Sequence, residues 1–242
     1  MNIVSLTDIG LVRSSNQDNF KTSSISDNVA WAIVCDGMGG TNGGNIASKI
    51  AVDVISESIK SNYYENIDSD KIKDILVSAA YEANRAIYDK ALNNKNLIGM
   101  GTTVVAAIIQ GDSIHLVNVG DSRAYLITKT EVTQITKDHS IVQDMVDHGE
   151  ITSKEAKNHP HKNIITRALG VDEFVDVDCY EVSFEKGNTL LMCTDGFSNY
   201  MENDKIFTLA KYTNFKFLAR EAVTLAKGAG GNDNITVVAI SR

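Results

Sequence analysis

The chain has 242 residues, of which 43% are hydrophobic and 22% are charged, a composition typical of folded globular proteins and unlike that of disordered or fibrous ones. Its 23 basic and 31 acidic residues give a formal net charge of −8, which disfavours a surface for nucleic acid or anionic lipid. Three cysteines do not suggest a secreted disulfide framework, and we expect a cytoplasmic protein without a membrane-spanning segment.

The predicted elements, taken in chain order, are short apolar strands interrupted by two long helices. Apolar residues that recur every three or four positions predict helices over 45–60 and 70–91, and a third over about 214–227. Because both long helices precede the central strands, this order favours an α+β fold over a doubly wound parallel sheet. Apolar or β-branched runs bounded by Gly, Asp or Asn predict strands at 2–7, 29–35, 102–109, 113–119, 122–128, 174–182, 188–194 and 234–241.

The chain offers no candidate domain boundary, since it has one proline, Pro160, and no Ser- or Gly-rich linker. We therefore expect a single domain over residues 1–242. The stretch from Asp138 to Ile165 is polar, contains four of the five histidines and lacks a long apolar run. It is predicted to be a surface insertion with short helical pieces, able to act as a mobile flap.

Four aspartates lie at the ends of otherwise apolar strands. They are Asp36 after VAWAIVC, Asp121 after HLVNVG, Asp195 after TLLMCT and Asp233 before ITVVAIS, and a fifth, Asp18, lies in RSSNQDNF. Each is compatible with ordinary turn chemistry. However, strand ends converge in a compact sheet protein, and clustered anions repel one another. No basic residue adjoins Asp36, Asp195 or Asp233 in sequence, so a bound cation is the simplest solution.

The ligand types indicate which cation. Oxygen ligands without metal-spaced Cys or His suit Mg²⁺ or Mn²⁺ rather than zinc, and the alternating acids of a calcium loop are missing. Several acids around one gap indicate two ions, which would clamp the attacking and leaving oxygens of a phosphoryl displacement. Asp36 is the best candidate for a bridging carboxylate, because the glycines after it let the backbone approach the ions.

Two further features have competing interpretations. Arg13 is either a surface ion pair, for example with Asp8, or a bidentate clamp on a phosphate beside the metals. The segment DGMGGTNGG follows a predicted strand and precedes a helix, as a dinucleotide fingerprint would. Its sixth position counted from Gly37 is Asn42 rather than glycine, and no phosphate-loop lysine follows, so a nucleotide-binding module is disfavoured.

Eight motifs together resemble one family. RSSNQD, VCDGMGG, GTT, VGDSRAYL, DHS, ITRALG, CTDGFSNYM and GGNDNITVV occur in the order and spacing of bacterial members of the protein phosphatase 2C (PPM) family, the metal-dependent serine/threonine phosphatases. The similarity runs from about Asp8 to the C-terminus. It implies a four-layer α-β-β-α sandwich, in which two antiparallel sheets are flanked by helices and the metals lie at one end of the sheets.

The resemblance implies a role for each core acid. Asp36 would bridge two Mn²⁺ or Mg²⁺ ions, Asp195 and Asp233 would complete one of these sites, and the Gly37 carbonyl would serve the other. Asp121, together with Asp195, matches the acids that hold a third, weaker ion in bacterial members.

Further roles follow from the same resemblance. Asp18 matches an acid that reaches the metal cluster largely through water, and Arg13 matches the phosphate-binding arginine. The flap from Asp138 to Ile165 would shape substrate access. The implied reaction is hydrolysis of phosphoserine or phosphothreonine in proteins by a metal-activated bridging water. Such an enzyme would act as a monomer and oppose a bacterial Ser/Thr kinase, with phosphoproteins rather than nucleic acid or membrane as partners.

The chain departs from the family pattern at three positions. Thr41 and Asn45 stand where many bacterial members have His and Glu after DGMGG. Met38 replaces a histidine proposed as general acid in eukaryotic relatives, and bacterial relatives commonly share that methionine. Since methionine cannot move a proton, leaving-group protonation would come from a metal-bound water.

Two other classes of function are alternatives to a phosphatase. One is a phosphoprotein-sensing module that keeps the fold without turnover, and retention of every metal-matching acid argues against it. The other is a two-metal phosphodiesterase acting on nucleic acid. The acidic balance and the lack of a basic strip studded with aromatic residues argue against that class.

Overall fold

Two five-stranded antiparallel sheets occupy the centre of the computed structural model, which describes the backbone of residues 1–242 and the side chains outside 40–42. The first sheet has the spatial order β1 (Asn2–Asp8), β12 (Ile235–Ser241), β11 (Thr189–Cys193), β8 (Arg123–Ile127) and β9 (Val132–Gln134). The second has the order β10 (Asp178–Ser183), β7 (Ser113–Val119), β6 (Val104–Gln110), β3 (Val29–Cys35) and β2 (Asn19–Ser26). A separate short pair joins β4 (Gly37–Met38) to β5 (Gly101–Thr102).

Helices cover the outer face of each sheet. The second sheet packs against α1 (Gly40–Asn62) and α2 (Ser69–Leu92), and the first against α5 (Asp195–Ser198), α6 (Asn203–Tyr212) and α7 (Leu218–Gly228). Two short helices, α3 (Ile141–Asp147) and α4 (Ser153–Ala156), lie in the polar insertion. Among the described residues, no helix combines the length and apolarity needed to cross a membrane.

The strand β3 shows how the layers are built. Because successive side chains of a strand point to opposite faces, its apolar run VAWAIVC divides into two sets. Trp31 and Ile33 pack towards α1 and α2, whereas Ala30, Ala32 and Val34 pack between the two sheets. Both faces are therefore buried, which explains the unbroken apolar run and confirms the expected α-β-β-α sandwich.

Several elements differ from the sequence-based prediction. The polar strand β2 was not expected, because this edge strand pairs on one side with β3 and lacks a clear apolar alternation. The short strand β9 and the helix α6 were also missed, although α6 buries Ile206 and Leu209. The strand predicted at 174–182 begins only at Asp178, and α1 begins at Gly40 within the glycine-rich segment rather than at 45.

Pairing of the two terminal strands sets up the site. Strand β1 runs antiparallel to β12, with Asn2 opposite Ser241 and Asp8 opposite Ile235. The loop that follows Asp8 therefore starts beside Asp233, although about 225 residues separate them in the chain. This neighbourhood exists only after the first sheet has formed.

The inter-sheet core gives a direct test of the architecture. Phe184 is fully buried between the sheets, so Phe184→Ala should lower the free energy of unfolding by roughly 3–5 kcal/mol through lost burial and a residual cavity. The matched control is Phe174→Ala, because Phe174 is 83% exposed and its truncation should change stability by less than about 0.5 kcal/mol. Urea titration measures both, and similar losses in the two variants would contradict this core.

Candidate active site

The predicted strand-end acids meet at one end of the two sheets. They line a single cavity of about 730 Å³ that also contains the predicted arginine and glycine. Each of these four residues is half-buried. The lining includes Arg13, Asp36, Gly37, Asp121, Asp195 and Asp233.

Asp18 lies beneath this cavity and is buried. Its Oδ2 accepts hydrogen bonds from the Thr194 hydroxyl at 2.8 Å and the Thr236 hydroxyl at 2.7 Å. Its Oδ1 has no hydrogen-bond partner among the described residues, and neither has the buried Oδ1 of Asp195. Buried acceptors without a partner are costly, so these two oxygens mark a place where a cation or ordered water would be stabilising.

Burial and mutual repulsion raise the pKa values of four of these acids. Burial, together with the nearby charges of Asp195 and Asp233, raises the pKa of Asp18 to about 7, although its two hydroxyl donors act to lower it. Burial and the Asp195 carboxylate raise the pKa of Asp121 to about 8, and burial with the Asp233 carboxylate raises that of Asp195 to about 6. The pKa of Asp36 lies well above its usual range, because it is buried among the other four.

Arg13 lies in the loop between β1 and β2 and contacts one of these acids. Its Nη2 donates to Asp233 Oδ2 at 2.7 Å, and its side chain is 53% exposed. The alternative pairing with Asp8 is not present among the described residues, since Asp8 pairs with Lys227 at 2.9 Å instead. Arg13 therefore reaches into the acidic cavity while keeping guanidinium edges open to it.

Backbone geometry also fits the cavity. A Cβ on Gly37 would collide with the backbone carbonyl of Gly44, so glycine lets the start of α1 lie against this segment. The backbone N–H of Asp36 donates to Thr103 Oγ1 at 2.9 Å, and the Thr102 hydroxyl donates to the Asp36 carbonyl at 2.8 Å. The carboxylate of Asp36 thus extends from a backbone that is held on both sides.

The donor set suits divalent Mg²⁺ or Mn²⁺. Carboxylate oxygens dominate it, and the orphaned oxygens of Asp18 and Asp195 supply electron pairs without a protein partner. Among the described side chains, no three of Asp, Glu, His and Cys already enclose one cation position. Arg13 meanwhile contacts Asp233, so a cation there would compete with its guanidinium.

Sequence reasoning missed several residues that shape this site. Thr102 and Thr103 belong to the GTT motif, yet their role in holding Asp36 was not predicted. Thr194 follows β11 and Thr236 lies in β12, and both donate hydrogen bonds to Asp18. The sequence could have indicated these two threonines, because a hydroxyl residue near a candidate carboxylate at a strand end can donate a hydrogen bond to a carboxylate.

Two of the three positions that depart from the family pattern have side chains that the structure describes, Met38 and Asn45. Met38 lines the cavity. The exposed Asn45 accepts a hydrogen bond from Asn19 Nδ2 at 3.3 Å, on the side of α1 that faces β2. The side chain of Thr41 lies outside the described residues.

The polar insertion lies beside the same cavity. Asn163, Ile164 and Ile165 from its end line one wall, and a bridge between Ser140 and Ile165 closes its base. A second cavity of about 880 Å³ separates the insertion from α5 and α6, and it shares Asp121 and Asp195 with the first.

Comparison with known proteins agrees with this geometry. A model of the protein phosphatase 2C family matches residues 12–227. The Listeria monocytogenes protein named serine/threonine phosphatase stp is 39% identical over 239 residues, covering 98% of this chain and 94% of that protein.

Solved structures show the same similarity. Serine/threonine phosphatase Stp1 from Staphylococcus aureus superposes with a TM-score of 0.92 at 32% identity, covering 99% of this chain and 94% of that one. The catalytic domain of PstP in complex with two manganese ions superposes with a TM-score of 0.84 at 31% identity, covering 98% and 96% of the two chains. The matched family model, the extent of identity and the strand-end acids together show that the chain belongs to the protein phosphatase 2C family.

Proposed function

We propose that the chain is a metal-dependent protein serine/threonine phosphatase that hydrolyses phosphoserine and phosphothreonine. The observation that carries this proposal is the cavity in which four strand-end carboxylates face Arg13. The names of the relatives support the substrate class, and the manganese-bound PstP structure supports a core of two Mn²⁺ or Mg²⁺ ions.

The metal ligands are proposed residue by residue. Asp36 would be shared between the two core ions, Asp195 and Asp233 would help to hold one of them, and the Gly37 carbonyl would help to hold the other. When bound, these ions supply Lewis acidity and activate water for attack on phosphorus. Asp121 and Asp195 would hold a third, weaker ion, and the supporting observation is that both residues line both cavities.

The remaining residues of the chain bind and orient substrate. Arg13 binds the phosphoryl oxygens through its open guanidinium edges, since Arg matches phosphate geometry with two parallel N–H donors. Asp18, anchored by Thr194 and Thr236, orders water beside the ions through its free oxygen. Met38 cannot donate a proton, so the leaving serine or threonine oxygen takes its proton from water in the cavity.

The proposal also covers the cellular setting of the enzyme. The chain acts as a single domain and a monomer in the cytoplasm, where it opposes a Ser/Thr kinase. The flap from Asp138 to Ile165 controls access of phosphoproteins, because Asn163, Ile164 and Ile165 form a wall of the cavity that holds Arg13.

Loss of the Asp36 carboxylate should lower activity more than loss of the Arg13 guanidinium. Asp36→Asn should lower kcat on a phosphopeptide on the order of 10³-fold, because it removes a ligand that both core ions share. Arg13→Ala should lower kcat/KM by roughly 10- to 100-fold, the range for losing charge-assisted hydrogen bonds. Steady-state kinetics with Mn²⁺ would measure both.

A matched control is available on α1. Asp53 is a half-exposed surface acid that pairs with Lys49 at 3.1 Å, so Asp53→Asn should keep activity within about twofold. The proposed ranking would be wrong if Asp36→Asn retained near-native turnover while Arg13→Ala abolished it.

The acid cluster also predicts how stability depends on pH when a chelator is present. Because Asp18 and Asp121 have pKa values of about 7 and 8 when folded, the folded state binds more protons than the unfolded state. The free energy of unfolding should therefore fall as pH rises from about 6.5 to about 8.5. His115 and His139, whose pKa values burial lowers, act in the opposite direction only at lower pH.

Urea titrations at several pH values in EDTA would measure this slope. Asp36→Asn should be more stable than the wild type in EDTA at high pH, since an amide adds no negative charge to the cluster at any pH. Excess Mn²⁺ should restore the stability of the wild type, because a ligand that binds only the folded state stabilises it. A flat pH profile in EDTA would contradict the mutual repulsion of these acids.

A further inference from the structure

The loop that carries Arg13 has little structure of its own. Residues 9–18 connect β1 to β2 without a helix or strand, and the Arg13 side chain is 53% exposed. A clamp accelerates a reaction only when its donors are already in place, because a loop that must be ordered by substrate spends binding energy on that ordering. The residues that order this loop therefore bear on phosphate binding.

The Asn234 side chain forms hydrogen bonds to this loop on both sides of Arg13. It is buried, with 4% of its surface exposed. Its Nδ2 donates to the Ile9 carbonyl at 2.9 Å and to the Ser15 carbonyl at 3.0 Å, and its Oδ1 accepts the Gln17 N–H at 2.8 Å. Both donors and the acceptor of the amide are thus used on loop backbone.

The same residue adjoins the acid that Arg13 contacts. The Asn234 backbone N–H donates to Asp233 Oδ1 at 2.8 Å, while Asp233 Oδ2 accepts from Arg13 at 2.7 Å. A further backbone bond, from the Leu11 N–H to the Gly231 carbonyl at 2.7 Å, runs between the same two segments. The segment before β12 therefore holds the Arg13 loop next to Asp233.

We propose that Asn234 is a positioning residue for phosphate binding, because its side-chain amide fixes the loop that presents the Arg13 guanidinium. This inference rests on the proposed function of Arg13. An amide is needed, since it offers two N–H donors and one acceptor. In Asn234→Asp a carboxylate would face the Ile9 and Ser15 carbonyls without a donor, and in Asn234→Ala both carbonyls would lose their partner.

The kinetic test is a double-mutant cycle with Arg13. Asn234→Ala should raise KM for a phosphopeptide roughly tenfold, with kcat changed less than about threefold. In the Arg13→Ala background, the same substitution should change KM by less than about twofold, because the loop then has no guanidinium to present. If the two effects multiply in the double variant, Asn234 does not act through Arg13 and the proposal is wrong.

The chain offers a closely matched control in Asn84. This buried amide also makes three bonds to a loop, donating to the Asp172 carbonyl at 3.1 Å and the Glu173 carbonyl at 3.0 Å and accepting the Gly170 N–H at 2.7 Å. Asn84→Ala should therefore cost comparable stability while leaving KM within about twofold. An equal rise of KM in both variants would assign the effect to general loosening and overturn the proposal.

A measurement without metal or turnover separates this inference from the proposed function. Hydrogen exchange of residues 9–17 in EDTA should be about tenfold faster or more in Asn234→Ala and Asn234→Asp than in the wild type, and unchanged in Asn84→Ala. Unchanged exchange in a folded Asn234 variant would overturn the anchoring. If wild type fails to hydrolyse phosphopeptides with Mn²⁺, the proposed function fails even where the exchange result holds.

Discussion

Mutual repulsion among buried carboxylates is the constraint on which the rest of this structure depends. The sandwich brings Asp18, Asp36, Asp121, Asp195 and Asp233 together from five separate segments, and burial raises the pKa of the first four. Such a cluster opposes folding until positive charge enters it. The apolar layers on both sides of the two sheets have to supply the stability that the cluster removes.

Two positive groups would neutralise this cluster, the Arg13 guanidinium and a bound divalent ion. Both would contact Asp233. The guanidinium of Arg13 contacts Asp233, which is also a proposed metal ligand. A divalent ion at Asp233 would displace that contact and leave the guanidinium edges for a phosphoryl group. On the proposed roles of these residues, metal binding and phosphate binding would be coupled through the Asp233 carboxylate, because Arg13 would exchange Asp233 for a phosphoryl group.

Local sequence pattern predicted the parts of the site that depend on strand ends. Asp36, Asp121, Asp195 and Asp233 each adjoin an apolar run, and convergence of those runs follows from packing two sheets face to face. The α+β class was likewise readable from the order of helices and strands. The resemblance to the family then supplied the four-layer sandwich, which composition and periodicity alone did not reach.

What the sequence did not show depends on long-range contacts between polar groups. Asn234 bonds to residues 217–225 positions away, and nothing in its neighbourhood distinguishes it from a turn asparagine. Strand β2 was missed because its polar sequence lacks an alternation of apolar and polar residues. Its extended structure depends on hydrogen bonding to the neighbouring strand β3. Helix α6 was missed because its ten residues offer only two fully buried side chains, Ile206 and Leu209.

Pairing of β1 with β12 has a consequence for the newly made chain. Arg13 and Asp18 lie near one end of the sequence, whereas Asp233 and Asn234 lie near the other. A polypeptide that stops before residue 233 contains Arg13 and three of the strand-end acids, but neither Asp233, which Arg13 contacts, nor Asn234, whose amide bonds to the Arg13 loop. Translation must thus pass residue 235 before a working site can assemble, so partial products of this chain would leave cellular phosphoproteins untouched.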